Sequence, residues 1–271
     1  MAVDHYENFP VASVLLPARF RAPVALIYRF AREADDFADE GDAPADVRLR
    51  RLRDFDEGLA DLEAGRAPRI DWFPALGRMI AEYGLPMGAF RDLLSAFAQD
   101  VTRTRYVSFA ELLDYCRRSA NPVGRLLLVL YGADTAENRR HSDAICTALQ
   151  LINFLQDVAV DHRKGRIYLP IEELSAHGLA EEDVAAGDAA GPWPAFMASQ
   201  TARAREMLLS GAPLGRVLRG RLGLEMRTII AGGARILDKI DRVRGDVFRH
   251  RPVLEWHDWA LMLFRAATRN S

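Results

Sequence analysis

The sequence predicts an all-α protein, and three observations predict it. Apolar residues recur at helical spacing from end to end, with no period-2 alternation of the kind strands show. Proline, glycine and capping residues punctuate that pattern at intervals typical of helices. Two segments carry Asp-x-x-x-Asp on otherwise apolar helices, so acidic stripes face inward. No repeat, low-complexity tract or linker interrupts the pattern. The 271 residues therefore read as a single domain over 1-271, long enough to bury a large core.

Taken in order, Phe9-Pro10 to Leu16-Pro17 reads as a short helix, with Pro10 in its first turn. Pro23 opens the next, which ends near Gly41. Asp46 to Glu63 is amphipathic, with arginines on its wet side. Asp71 caps a helix over Trp72–Tyr83 that Gly84 stops. Pro86 to Gln99 follows. Ser108-Phe-Ala-Glu111 reads as a capping box opening a helix through Tyr115 and Cys116. Pro122 then interrupts it, as a site-forming break or a simple kink. Asp134 to Val160 is a long, mostly apolar helix. Gly187 to Pro194 is a loop, and Pro194–Leu209, Gly215–Val243 and Val253–Thr268 are further helices. The last is poor in charge and suits docking on the core, or touching a membrane surface.

At about 100° per residue, Gln150, Asn153, Asp157 and Asp161 fall on one stripe of the 134–160 helix. Tyr28, Arg32, Asp35 and Asp39 do the same on the first long helix, within roughly 60°. One such pair is usually a solvated face. Two, each flanked by apolar residues, bring carboxylates out of water, which is costly without a partner. The chain has no matching basic helix. Hard cations with oxygen ligands answer the repulsion: Mg²⁺ binds through one or two carboxylates and substrate phosphates. The expectation is a pocket in which Asp35, Asp39, Asp157 and Asp161 hold Mg²⁺ and Mg²⁺ holds a diphosphate.

A net charge of −2 gives nucleic acid no footprint. No G-x-G-x-x-G or P-loop occurs, so a bound dinucleotide is unsupported. The six histidines form no metal-ligand spacing. Cys116 and Cys146 read as buried free thiols. The start is no signal peptide and no apolar run is long enough to span a bilayer. The expected location is cytoplasmic, with peripheral membrane association left open.

Leu-Leu-Pro17, Ile27-Tyr28, Arg32, Asp35-x-x-x-Asp39, Tyr115-Cys116, Gln150-x-x-Asn153-x-x-x-Asp157-x-x-x-Asp161, Gly165-Arg166-Ile-Tyr168-Leu-Pro170 and Asp246-Val-Phe248 occur in that order. In this the chain resembles the squalene/phytoene synthase family over nearly its whole length. The resemblance implies the class I isoprenoid (terpenoid) synthase helical bundle around a central apolar cavity. It implies Mg²⁺-assisted loss of diphosphate from a prenyl substrate. It places metal ligands at the four aspartates, and substrate contacts at Phe9, Tyr28, Arg32, Tyr115, Gln150, Asn153, Arg166 and Tyr168. Arg32 and Tyr115 join the aspartates in catalysis.

Three departures bear on the reaction. Gln156 stands where the family usually has Arg before the second motif. Tyr6-Glu7-Asn8-Phe9 replaces its Ser-x-Ser-Phe, and Ser119-Ala120-Asn121-Pro122 replaces its Val-Ala-Gly. Losing an arginine and two hydroxyls argues against handling two diphosphates at once. The pattern resembles the hydroxysqualene synthase branch of the family, from the bacterial hopanoid pathway. That implies presqualene diphosphate as substrate and water as terminating nucleophile, held by Gln156 or Asn121, unless these make structural hydrogen bonds. The alternatives are a synthase condensing two prenyl diphosphates and a non-catalytic helical assembly protein. A C30 alcohol product also implies peripheral membrane contact, or contact with a neighbouring pathway enzyme, for its release.

Overall fold

The computed structural model describes residues 16–39 and 41–259, with residues 262 and 266. The expected helix before Leu16, and with it Phe9, lies outside the described residues. Among the described residues there are thirteen helices between Ala18 and Arg242, a helical turn at 256–259 and no strand. The parallel bridge Arg105–Ile167 ties the connection after the fourth helix to the 160s. No described helix is long and apolar enough to cross a membrane.

Helix α1 (Ala18–Asp39) starts five residues before Pro23, which sits inside it. Pro23, in the second turn, has no N–H and removes one i→i−4 bond, the one to the Arg19 carbonyl. Helix α2 (Ala45–Glu63) agrees with the sequence reading. Helix α3 (Phe73–Tyr83) begins without an Asp71 cap, and Gly84 ends it in the left-handed conformation at φ 64°. Helix α4 (Met87–Thr102) runs three residues further than expected. Helix α5 (Phe109–Ser119) has half of the expected capping box. Ser108 Oγ accepts the Glu111 N–H at 3.3 Å, while the Glu111 carboxylate is turned to the Val107 N–H and Arg103. Helix α6 (Asn121–Leu130) follows the break at Ala120.

The long 134–160 helix is two helices, α7 (Ala136–Gln156) and α8 (Val158–Arg163), with the break at Asp157. The break is a kink. The Asp157 N–H still bonds Asn153 O at 2.9 Å and the Asp161 N–H bonds Asp157 O at 2.8 Å. The acidic stripe therefore survives it. Two short helices, α9 (Ile171–Ala176) and α10 (Glu181–Ala186), were not expected. Their six residues are too short for a periodic signal. Helix α11 (Trp193–Ser210) matches expectation within a residue. The expected 215–243 helix is divided into α12 (Leu214–Val217) and α13 (Gly220–Arg242). The Val253–Thr268 helix is helical at 256–259, after a 251–255 segment with no regular structure.

Two apolar clusters form the core. One is built from α1 to α4 and α6 around Phe30, Phe55, Phe73 and Phe90. The other is built from α5, α7, α11 and α13 around Tyr106, Ile152, Trp193 and Leu237. Both cysteines are free, Cys116 fully buried and Cys146 partly so. The α12–α13 break forces a close approach at Gly223, where a Cβ would meet Leu218 O at 2.0 Å and Gly215 O at 3.0 Å. Backbone carbonyls cannot swing aside as a side chain can. Gly223→Ala is expected to cost about 2–4 kcal/mol in urea unfolding, as overpacking does. A loss under about 0.5 kcal/mol would show that the break yields.

Candidate active site

Between the two clusters lies a cavity of about 530 Å³, within the range of small-molecule sites. Its apolar wall comes from Val24, Ile27 and Ala31 of α1, Phe97 of α4, Val123 and Leu127 of α6, and Leu222, Met226 and Ile229 of α13. The helical periods that bury each face in the core also aim these side chains inward.

Its charged end combines the two acidic stripes. Tyr28, Arg32 and Asp35 line it from α1; Gln150, Asn153 and Asp157 line it from α7 and its end; Tyr115 comes from α5 and Arg251 from the irregular 251–255 segment. Asp39 and Asp161, one turn on from Asp35 and Asp157, lie just behind. Asp161 faces a small void beside Arg166 and Tyr168.

Loop-borne cations face the acidic groups, which the search for a basic helix overlooked. Lys164 and Arg166 both pair with Asp39. Arg251 Nε donates to Asp157 at 2.5 Å. Arg32 pairs with Asp36 at 2.7 Å and Asp35 at 3.6 Å. Burial still pushes the Asp35 carboxyl up to about 7, against Arg32 and helped by Asp39, Asp100 and Asp36. Burial and the Asp157 charge push Asp161 up to about 8, against Arg166 and Lys164. For Asp39, burial is outweighed by Lys164 and Arg166, which hold it below the usual range.

The remaining expected residues sit outside the cavity wall. Arg166 donates to Ala38 O at 3.3 Å and Asp100 O at 3.4 Å, tying α1, α4 and the 160s together. Tyr168 stacks on Phe154 at 4.0 Å. Asn121 is buried and its Oδ1 accepts the Thr147 hydroxyl at 2.9 Å. Gln156 is 1 % exposed and donates to Pro252 O at 2.5 Å. Neither Asn121 nor Gln156 is among the residues that line the cavity. Each makes a hydrogen bond within the protein. Gln156 instead secures the segment that carries Arg251. Lys239, donating to Val253 O at 2.7 Å, and fully buried Asp258, paired with Arg235 at 2.6 Å, secure it further on.

Sequence reasoning missed Asp100, Lys164 and Arg251. Asp100, 6 % exposed, accepts the hydroxyls of Tyr115 at 2.6 Å and Tyr168 at 3.2 Å. Burial raises it to about 6, against those two bonds. It follows Phe97 and Ala96 on the apolar face of α4, and an acid on such a face is the signal that could have found it. Arg251 follows no helical period, and nothing local marks it.

The donor set fits a hard divalent cation. Two carboxylates, Asp35 and Asp157, line the cavity with Asp39 and Asp161 one turn behind them, and Asp35 and Asp161 are poorly charged without further positive charge. The one group of three potential ligands within 4.8 Å among the described residues is elsewhere, at Glu255, His257 and Asp258. There Asp258 is already taken by Arg235 and Lys239. No three of the four aspartates bring their ligand atoms within 4.8 Å of one another, so any shared cation needs further ligands such as a diphosphate.

Comparison with known proteins agrees with this geometry. Residues 2–258 match the family described as Squalene/phytoene synthase. A hydroxysqualene synthase of Rhodopseudomonas palustris is 37% identical over 233 residues, covering 85% of this chain and 78% of its own. A 15-cis-phytoene synthase of Synechococcus elongatus is 32% identical over 257 residues, 90% of this chain and 83% of its own. The crystal structure of squalene synthase HpnC from Alicyclobacillus acidocaldarius superposes with a TM-score of 0.82 at 36% identity, covering 89% of this chain and 90% of that one. A dehydrosqualene synthase complex, at 22% identity and a TM-score of 0.84 over 94% of this chain and 88% of its own, shares the fold.

Proposed function

The chain belongs to the squalene/phytoene synthase family, and on that premise we propose that it converts presqualene diphosphate to hydroxysqualene. The observation that carries this reading is the convergence of Asp35 and Asp157, one from each acidic stripe, with Arg32 and Arg251 on one largely apolar cavity. The charged end suits a diphosphate and the apolar part suits a prenyl chain.

Asp35, Asp39, Asp157 and Asp161 would hold Mg²⁺, which supplies the positive charge that stabilises a departing diphosphate. Arg32 and Arg251 add charge-assisted hydrogen bonds to the same group. Gln150 and Asn153 orient it beside Asp157. The ring faces of Tyr28 and Tyr115 stabilise a carbocation by about 0.5–2 kcal/mol each. Tyr115 keeps its ring in the wall because its hydroxyl is committed to Asp100. The apolar walls exclude stray water until the cation has rearranged. Water then closes the reaction without a reductant, consistent with the missing dinucleotide motif.

The hydroxysqualene synthase relatives support this reading, as do the departures at Gln156 and Ser119. The phytoene synthase relatives favour a second, head-to-head condensation of two prenyl diphosphates. Purified protein with Mg²⁺ and no reductant separates them. Hydroxysqualene from presqualene diphosphate, with nothing from farnesyl diphosphate, is the expected result. A C30 or C40 product from prenyl diphosphates alone would replace the first reading with the second.

A further inference from the structure

The cavity wall contains a hydroxyl that nothing so far uses. Ser119 is the last residue of α5 and lines the cavity between Tyr115, one turn before it, and Val123, one turn after the break. Its Oγ is buried and has no hydrogen-bond partner among the described residues. Buried hydroxyls are almost always paired, so one that is not calls for a partner such as water or substrate. The Tyr115 hydroxyl is taken by Asp100. A second acceptor stands next to Ser119. Pro122 has no N–H, so the Arg118 carbonyl lacks its helical donor. A hydroxyl and a carbonyl freed by proline at a helix break, beside a cavity roomy enough for solvent, are the kind of partners an ordered water needs.

We propose that Ser119 is a positioning residue that holds the water which captures the carbocation, and so decides that the product is an alcohol. This rests on the hydroxysqualene reading above. In the step, a lone pair of the water oxygen forms the C–O bond to the cationic carbon. The water then loses a proton to the released diphosphate. No electrons enter from a reductant. Without a held water, the same cation loses a proton from a neighbouring carbon and gives a polyene. The departure noted in the sequence, Ser119 where the family usually has Val, thus acquires a role: it adds one hydroxyl to an apolar wall.

The experiment compares Ser119→Ala, Ser119→Val and Ser119→Thr with the parent, using Mg²⁺ and presqualene diphosphate. It reads hydroxysqualene formed per diphosphate released, so loss of the C–O bond is separated from loss of ionisation. The parent is expected to give a ratio near one. Ser119→Ala and Ser119→Val are expected to fall at least about fivefold, with polyenes making up the difference. Ser119→Thr keeps the hydroxyl and is expected to restore most of the ratio, which a purely structural role would not predict. An unchanged ratio in Ser119→Ala, which removes only one oxygen, would overturn the assignment alone. Diphosphate release by the parent only from farnesyl diphosphate would overturn the reading beneath it and the assignment together.

Discussion

Asp35→Asn is expected to lower diphosphate release at least about 1,000-fold while making the cation-free protein more stable above pH 7. The rate loss follows from removing a cation ligand, since charge stabilisation of the leaving group contributes several kcal/mol. The stability gain follows from linkage. Burial raises the folded-state carboxyl to about 7 from its ordinary 3.8. Below about pH 4 the group is protonated in both states and contributes nothing. As pH rises from 4 to 7 the unfolded chain ionises first, and folding loses stability. Above 7 that loss is complete. The Asn variant escapes it. Thermal melts with a chelator at pH 5, 6, 7 and 8 should show the gap between variant and parent widening upward. Equal melting at every pH would mean that the neighbouring cations already compensate Asp35 in full.

The second large effect is on the fold. Arg166→Ala is expected to cost about 2–4 kcal/mol in urea unfolding, because removing one member of a largely buried pair leaves its partner underpaired. Arg166 is 12% exposed and Asp39 22%. The guanidinium spans Asp39, Ala38 O and Asp100 O, so it joins the ends of α1 and α4 to the 160s loop. Lys164 remains on Asp39, but from the exposed side. Arg166→Lys is expected to recover less than half of the loss, since an ammonium cannot reproduce the planar fork. A cost below about 1 kcal/mol would show that Lys164 suffices.

What was legible in the sequence follows from what repeats. The stripes Tyr28–Arg32–Asp35 and Gln150–Asn153–Asp157 were readable because helical geometry projects any 3.6-residue period onto one face. The kink at Asp157 did not spoil the second, because the hydrogen bonds on either side of it continue. Breaks set by tertiary packing were not readable. Gly220, at φ 62°, starts α13 afresh where the sequence looked continuous. The cations at Lys164, Arg166 and Arg251 come from turns and irregular segments, so no periodicity marks where they land. Gln156 turns on a contact that no local pattern marks: its side chain donates to Pro252 O, while Ser119, which the sequence showed as a departure from the family's pattern, lines the cavity.

The most direct measurement is anomalous diffraction from crystals grown with Mn²⁺ and a prenyl bisphosphonate. Peaks are expected beside Asp35 and Asp39 and beside Asp157 and Asp161, with the bisphosphonate between them and its chain in the cavity. Metal peaks only at Glu255, His257 and Asp258, or a bisphosphonate held without metal while Lys164 and Arg166 stay on Asp39, would contradict the two-stripe site.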